Sequence, residues 1–279
     1  VIVRSTLHLL HPEWQGFGLN ADVHRGARAL AARLFDNRDV VTIDAPEEER
    51  LSVTDGVLGL ESIARRFESA LATVRRASPD RILMVGGTCG VELAPIAYLN
   101  ERYGGDLAVL WLDAHADLNT PATSPSGHFH GMPLRTLLGD GPAVCTRLIA
   151  RPLTPRQVFL VGVREFDPAE AEYVARHAIP VLGDDEFREP ERVVEAVRAA
   201  GYRRAYVHFD VDVLDPSGFP CALMHSAGGG PSVNDAMQVL AALARDLDIA
   251  GASVLEYCER DPAWTERLAK AVLGSGLVS

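Results

Sequence analysis

Leu107-Ala-Val-Leu-Trp-Leu112 runs straight into Asp113-Ala114-His115-Ala116-Asp117, and later Arg204-Ala-Tyr-Val-His-Phe209 runs into Asp210-Val211-Asp212. Each hydrophobic run reads as a strand buried on both faces, the kind found inside a parallel sheet. Each ends in carboxylates. Burying these acids and an imidazole costs several kcal/mol per ion unless positive charge sits among them. A divalent metal is the obvious candidate. Residues i and i+2 of a strand face the same side, so Asp113 and His115, and likewise Asp210 and Asp212, are expected to converge. Five such donors exceed what one small ion needs. Two ions sharing carboxylates, with a water activated between them, are therefore expected.

Outward from these clusters the chain alternates short apolar runs with amphipathic ones, the pattern of a parallel sheet covered by helices on both faces. Strands are predicted at Val1–Thr6, Val40–Ile43, Arg81–Val85, Leu107–Leu112, Gln157–Val161, Pro180–Leu182, Arg204–Phe209 and Ala252–Glu256. Helices are predicted at Asp22–Phe35, Val57–Ala77, Val91–Tyr103, Met132–Leu138, Pro168–His177, Pro190–Ala200, Ser232–Leu247 and Pro262–Leu273. Two irregular stretches, Asn119–Gly131 and Asp215–Pro231, follow the acidic clusters immediately. Loops at strand C-termini are where open parallel sheets carry their sites. With no repeat, biased linker or low-complexity tract, one domain over residues 1–279 is expected.

Composition narrows the function classes. The 279 residues are 47% hydrophobic and 23% charged, enough for a large core in a globular chain. A net charge of -11 argues against nucleic acid or an anionic membrane as partner. The four cysteines, Cys89, Cys145, Cys221 and Cys258, form no C-x-x-C pair, so no disulfide framework or zinc knuckle is indicated. No secretory leader and no membrane-length apolar run are evident, and a cytoplasmic location is expected. A homo-oligomer is compatible with the sequence, but nothing in it requires one.

Asp-x-His-x-Asp at one strand end, with Asp-x-Asp-x-x-Asp-Pro at another (Asp210, Asp212, Asp215-Pro216), resembles the ureohydrolase superfamily of arginase, agmatinase and formimidoylglutamase. The resemblance runs from about Leu83 to Glu256 and is nearest to arginase in motif. It implies a three-layer α/β/α sandwich with a mainly parallel sheet of about eight strands. It also implies two Mn2+ ions per chain. Asp113 and Asp210 would bridge them, His115 and Asp212 would complete one, and Asp117 would bind the other. Oxygen-rich ligation with one imidazole suits manganese. Asp215, beside a proline, reads rather as a turn residue.

One departure stands out. Where the family has the histidine of Gly-Gly-Asp-His, this chain reads Gly86-Gly87-Thr88-Cys89-Gly90. Cys89 would bind metal as thiolate, leave one ion weakly held, or be an inert buried thiol; ligation is the favoured reading. A thiolate brings negative charge that imidazole does not, making the ion a weaker Lewis acid. Such a site would suit a substrate more activated than arginine, such as an N-hydroxylated guanidine.

The resemblance extends to substrate contacts. Asn119, Ser126 and His128, with Ser124, would hold an amino-acid carboxylate, and His130 would be the proton shuttle. Asp167 and Glu170 would meet an α-ammonium, although Asp-Pro-x-Glu is equally a helix N-cap with capping box. Glu256 would bind the guanidinium. Asp117, His130 and Glu256 are thus the expected catalytic set. The stretch from Pro220 to Gly230 does not follow the family, and Met224 and His225 are as readily plain loop residues as pocket ones.

The expected activity is hydrolysis of a guanidino C–N bond on an α-amino acid, arginine or N-hydroxyarginine, giving ornithine and urea or hydroxyurea. Agmatine, guanidinobutyrate or formimidoylglutamate are alternative substrates. Two readings of other classes stay open: a metal-free amidine hydrolase with Cys89 as nucleophile and His130 or His128 as base, and a relative that binds ligand without turnover.

Overall fold

The structure, a computed structural model, describes residues 4–226 and 228–278. Among the described residues there are ten strands and ten helices. The strands are β1 (Thr6–His11), β2 (Val40–Thr42), β3 (Val53–Thr54), β4 (Val57–Leu58), β5 (Arg81–Gly86), β6 (Ala108–Leu112), β7 (Val158–Val161), β8 (Val181–Leu182), β9 (Arg204–Asp210) and β10 (Asp248–Leu255). The helices are α1 (Asp22–Leu34), α2 (Leu60–Ala77), α3 (Leu93–Arg102), α4 (Pro133–Leu137), α5 (Ala143–Thr146), α6 (Pro168–His177), α7 (Asp184–Arg188), α8 (Pro190–Ala199), α9 (Val233–Asp246) and α10 (Pro262–Ser275).

Eight strands form one sheet in the order β2-β1-β5-β10-β9-β6-β7-β8, every pairing parallel. Alternation along the central strands feeds two cores. Ile82, Met84, Val109, Trp111 and Tyr206 pack under α2 to α6, whereas Leu83, Val85, Leu110, Leu112, Val207 and Phe209 pack under α1 and α7 to α10. This is the expected three-layer α/β/α sandwich. Helix starts follow local chemistry: Ser232 accepts the Asp235 N–H at 3.2 Å ahead of α9, and Asp261 accepts the Ala263 N–H at 2.8 Å with Pro262 opening α10.

Three expectations need correction. The first strand lies at Thr6–His11; residues 1–3 of the expected Val1–Thr6 lie outside the described residues. Pairing decides this, because Thr6 to His11 match Arg81 to Gly86 one for one. Val57 and Leu58 form an antiparallel hairpin with Val53 and Thr54, so α2 begins at Leu60. Gly59, at φ 72°, turns the chain between the two. The last sheet strand starts four residues early, at Asp248, and ends at Leu255, which leaves Glu256 beyond it. No helix among the described residues is long and apolar enough to cross a membrane.

Candidate metal centre and active site

Register brings the acidic ends of separate strands to one level. Leu112 pairs with Phe209, Phe209 with Val254, and Val254 with Val85. The next residue along each chain is therefore Asp113, Asp210, Leu255 or Gly86, all at the C-terminal edge of the sheet. From that edge Cys89, Asp113, Asp117, Asp210, Asp212 and Glu256 gather, all buried, with His115 half-buried beside them.

The convergence does not come from strand alternation, as expected, because β6 stops at Leu112 and β9 at Asp210. Each aspartate instead folds the chain back on itself. Asp113 Oδ1 accepts the His115 N–H at 2.6 Å, and Asp210 Oδ1 accepts the Asp212 N–H at 2.7 Å. Such turns are made by aspartates at strand ends. Asp212 then accepts the Ala114 N–H at 3.0 Å and faces His115 Nδ1 at 2.9 Å, tying the two clusters together. Asp117 and Glu256 both adopt positive φ, 53° and 61°. That is uncommon backbone for a non-glycine residue and is found at functional sites. Asp215 accepts the Ser217 N–H at 2.9 Å, the turn role read for it.

Gly86 and Gly87 explain how Cys89 reaches this place. A Cβ on Gly87 would lie 1.8 Å from the Glu13 carbonyl oxygen, so only glycine permits the crossing. Thr88 donates its N–H to that carbonyl at 2.9 Å and its hydroxyl to Glu13 Oε2 at 2.5 Å. Cys89 N–H donates to Glu256 Oε1 at 2.8 Å, and its Sγ lies 3.2 Å from Asp210 Oδ2.

The donors fall into three overlapping groups: Cys89, Asp113, Asp117 and His208; Cys89, Asp210 and Glu256; Asp113, His115 and Asp212. Within each, the donor atoms lie within 4.8 Å of one another. Asp117 Oδ2 and Glu256 Oε2 are buried with no hydrogen-bond partner. Orphaned carboxylate oxygens inside a nest of acids cost several kcal/mol unless a cation takes them up. The donor set therefore fits divalent metal.

Electrostatics say the same. Burial and the neighbouring carboxylates push Asp117 and Asp210 well above the usual range, Glu256 up to about 8 and Asp212 to about 6. Burial, then Asp210 and Glu256, push the Cys89 thiol well up. Burial opposes a charge on Asp113 too, but hydrogen bonds with His115 and His208 outweigh it and hold that carboxyl below the usual range. A dication at the centre would reverse the sign for the rest.

Above the acids opens a cavity of about 170 Å3. Asn119, Ser124, Ser126, His130, Asp167 and Glu170 line it, with Met224 from the divergent loop. His128 does not; its ring lies against Phe17, with centroids 5.6 Å apart. Asn119 Nδ2 donates to Asp167 Oδ2 at 2.7 Å, joining two of the expected contacts. Glu170 is committed to backbone, accepting the Leu118 N–H at 2.8 Å and the Asp167 N–H at 2.9 Å, which is the capping-box role. His130, expected as the proton shuttle, is pushed down to about 4 by burial, with help from the positive fields of His128 and His115. Its backbone N–H donates to the Gly16 carbonyl at 3.1 Å and Phe17 packs edge-on against its ring.

Sequence reasoning missed four residues here. His208 and Trp111 stack at 3.5 Å between centroids, and Glu92 accepts from His208 Nδ1 at 2.8 Å. Glu165 faces His115 Nε2 at 3.5 Å. His208 was visible in the sequence only as the residue two before Asp210 on the same strand face; its partners Trp111 and Glu92 were not.

A family model described as the arginase family matches residues 16–278. Arginase of Bacillus caldovelox is 32% identical over 257 residues, covering 86% of this chain and 84% of that one. Arginase of Entamoeba histolytica is 30% identical over 236 residues, covering 81% and 78%. Against arginases of Staphylococcus aureus the match is 31% over 153 residues and spans 53% of this chain but only 50%, about half the length, of those relatives. The solved arginase of Entamoeba histolytica in complex with L-ornithine shares the fold at TM-score 0.86, with 23% identity and 99% of each chain covered. Proclavaminate amidino hydrolase of Streptomyces clavuligerus does so at TM-score 0.74, with 22% identity and 99% and 91% covered. By the span of the family match and the identity to these relatives, this chain belongs to the arginase family.

Proposed function

We propose that residues 1–279 act as one unit, a two-manganese hydrolase that cleaves a guanidino C–N bond on an α-amino acid of arginine or N-hydroxyarginine type. The observation that carries this is the buried nest of Asp113, Asp117, Asp210 and Asp212 with His115 and Cys89, opening onto a cavity that also holds Glu256. Asp113, His115, Asp212 and Asp210 would hold one ion, and Asp113, Asp117, Asp210 and Cys89 the other. Bound there, the pair would supply hydroxide at neutral pH and Lewis acidity toward the substrate. Manganese is preferred because oxygen donors dominate the set.

The chain's own residues do the rest. Glu256 Oε2, free of protein partners, faces the guanidinium and orients its carbon. Asp117 Oδ2, also free, takes a proton and passes it to the departing nitrogen. His130 at the cavity wall is neutral near pH 7 and receives protons from solvent. Asn119 and Asp167, already paired, face the α-amino and carboxylate end, with Ser124 and Ser126 beside them. This favours an α-amino acid over agmatine.

Cys89 directs the choice between the two guanidines. Thiolate ligation weakens the ion as a Lewis acid and shifts preference toward the more activated N-hydroxylated guanidine, which loses the same ornithine amine and leaves hydroxyurea. A metal-free nucleophile at Cys89 is disfavoured, because the surrounding carboxylates oppose thiolate unless a cation is present. The test is hydrolysis of arginine, N-hydroxyarginine, agmatine, guanidinobutyrate and formimidoylglutamate by metal-stripped and manganese-loaded protein. Higher kcat/KM on N-hydroxyarginine with manganese is expected. Activity that survives stripping but not thiol alkylation would overturn the metal reading.

A further inference from the structure

Position 89 lacks the family's imidazole, but an imidazole reaches the same point from elsewhere. His208 sits on β9 directly opposite Trp111 on β6, and the two rings stack at 3.5 Å with planes 5° apart. The stack fixes the ring plane. Its Nδ1 lies 2.8 Å from Glu92 Oε1, and Glu92 also accepts the Tyr206 hydroxyl at 2.6 Å and the Ser253 hydroxyl. A carboxylate held by two hydroxyl donors takes the Nδ1 proton as its third, which leaves the Nε2 lone pair free. That Nε2 points at the Cys89 side of the nest, 3.9 Å from Cys89 Sγ and 3.4 Å from Asp113 Oδ2. The Asp113 contact is a long hydrogen bond, which an ion held between the two groups would replace. Donors bound about 2.0–2.3 Å from one ion lie roughly 3–4 Å from each other, which matches these spacings.

Resting on the metal-centre reading above, we propose that His208 Nε2 is a direct metal ligand for the ion on the Cys89 side, with Glu92 and Trp111 as its positioning residues. The site thereby regains an imidazole from β9, two strands away from β5, in place of the one absent from the Gly86–Gly90 turn. Cys89 and His208 then hold that ion together with Asp113, Asp117 and Asp210.

The test loads full-length protein with Mn2+ alone and reads metal content, binding affinity and nitrogen hyperfine coupling, not turnover. Wild type is expected to bind two ions and to show two coordinated imidazoles, His115 and His208, distinguished by 15N-histidine labelling. His208→Ser is expected to keep the first ion at unchanged affinity and to lose at least about tenfold at the second site. Retention of the first ion shows that the variant is folded. The double variant Cys89→His with His208→Ser moves the imidazole back to the turn and is expected to restore the second ion. One coordinated imidazole in doubly loaded wild type would overturn the proposal, as would a His208→Ser protein binding both ions unchanged. Wild type binding a single ion would overturn it while leaving a metal hydrolase standing; binding none would remove both readings.

Discussion

Glu256 shows what single residues contribute here. Its backbone sits at positive φ, one oxygen accepts the Cys89 N–H, and the other has no partner. An amide would keep the shape but lose the charge that the proposed function sets against a guanidinium. Glu256→Gln should lower kcat/KM by about 10²–10³-fold, roughly 3–4 kcal/mol, with manganese content unchanged; steady-state kinetics beside metal analysis checks this. His11 makes a different residue-scale prediction. Its ring is buried, neither nitrogen has a partner, and burial lowers it from 6.5 to about 3. Between those values the unfolded chain binds a proton that the folded chain refuses, so stability falls as pH drops through 6.5. His11→Leu should therefore lose less stability than wild type between pH 7 and 4.5, by roughly 2–3 kcal/mol in urea melts. An unchanged difference between the two proteins across that range would show that His11 has a proton partner after all.

At the scale of elements, the face that carries the acidic nest and its cavity is assembled by close backbone crossings. The β3–β4 hairpin carries Gly56, whose carbonyl would lie 2.8 Å from a Cβ on Gly127, itself at φ 70°. Leu58 N–H donates to the Gly127 carbonyl at 3.0 Å, so the hairpin braces the loop bearing Ser124, Ser126 and His128. Gly127→Val should loosen that brace and raise KM several-fold with little change in metal content, read by kinetics and metal analysis. The β5 turn is stricter. Gly87→Ala should cost more than about 3 kcal/mol, since its Cβ meets backbone that cannot yield, and a stability comparison with wild type decides it.

The whole molecule brings like charges together at the C-terminal edge of one parallel sheet, and its stability should follow the metal. Glu256 and Asp212, raised to about 8 and about 6, hold protons in the folded chain that the unfolded chain releases. Above pH 6.5, where His11 and His130 no longer titrate, stability of chelated protein should thus fall by on the order of 2 kcal/mol as pH rises to 8. Manganese should remove that slope and raise the melting temperature with the logarithm of its concentration over Kd. Thermal melts with and without chelator at pH 6.5 and pH 8 check both effects; a chelated protein more stable at pH 8 than at pH 6.5 would contradict the charge accounting.

The sandwich and the acidic pair of strand ends were legible in the chain alone, because buried parallel strands such as Leu107–Leu112 write themselves as unbroken apolar runs and because carboxylates after them have no bland explanation. Cys89 was visible as an oddity by its place after Gly86-Gly87. Three things needed the fold. Asp113 and Asp210 converge through turns beyond their strands, which depends on where pairing stops. Val57 belongs to a hairpin rather than α2, since propensity over two residues is outweighed by contact with the Gly127 loop. His208 acquires its meaning from Trp111 and Glu92, partners 97 and 116 positions away in sequence that only β-sheet register and helix packing bring beside it. Local pattern reports what a segment buries; distance in space decides what it is buried against.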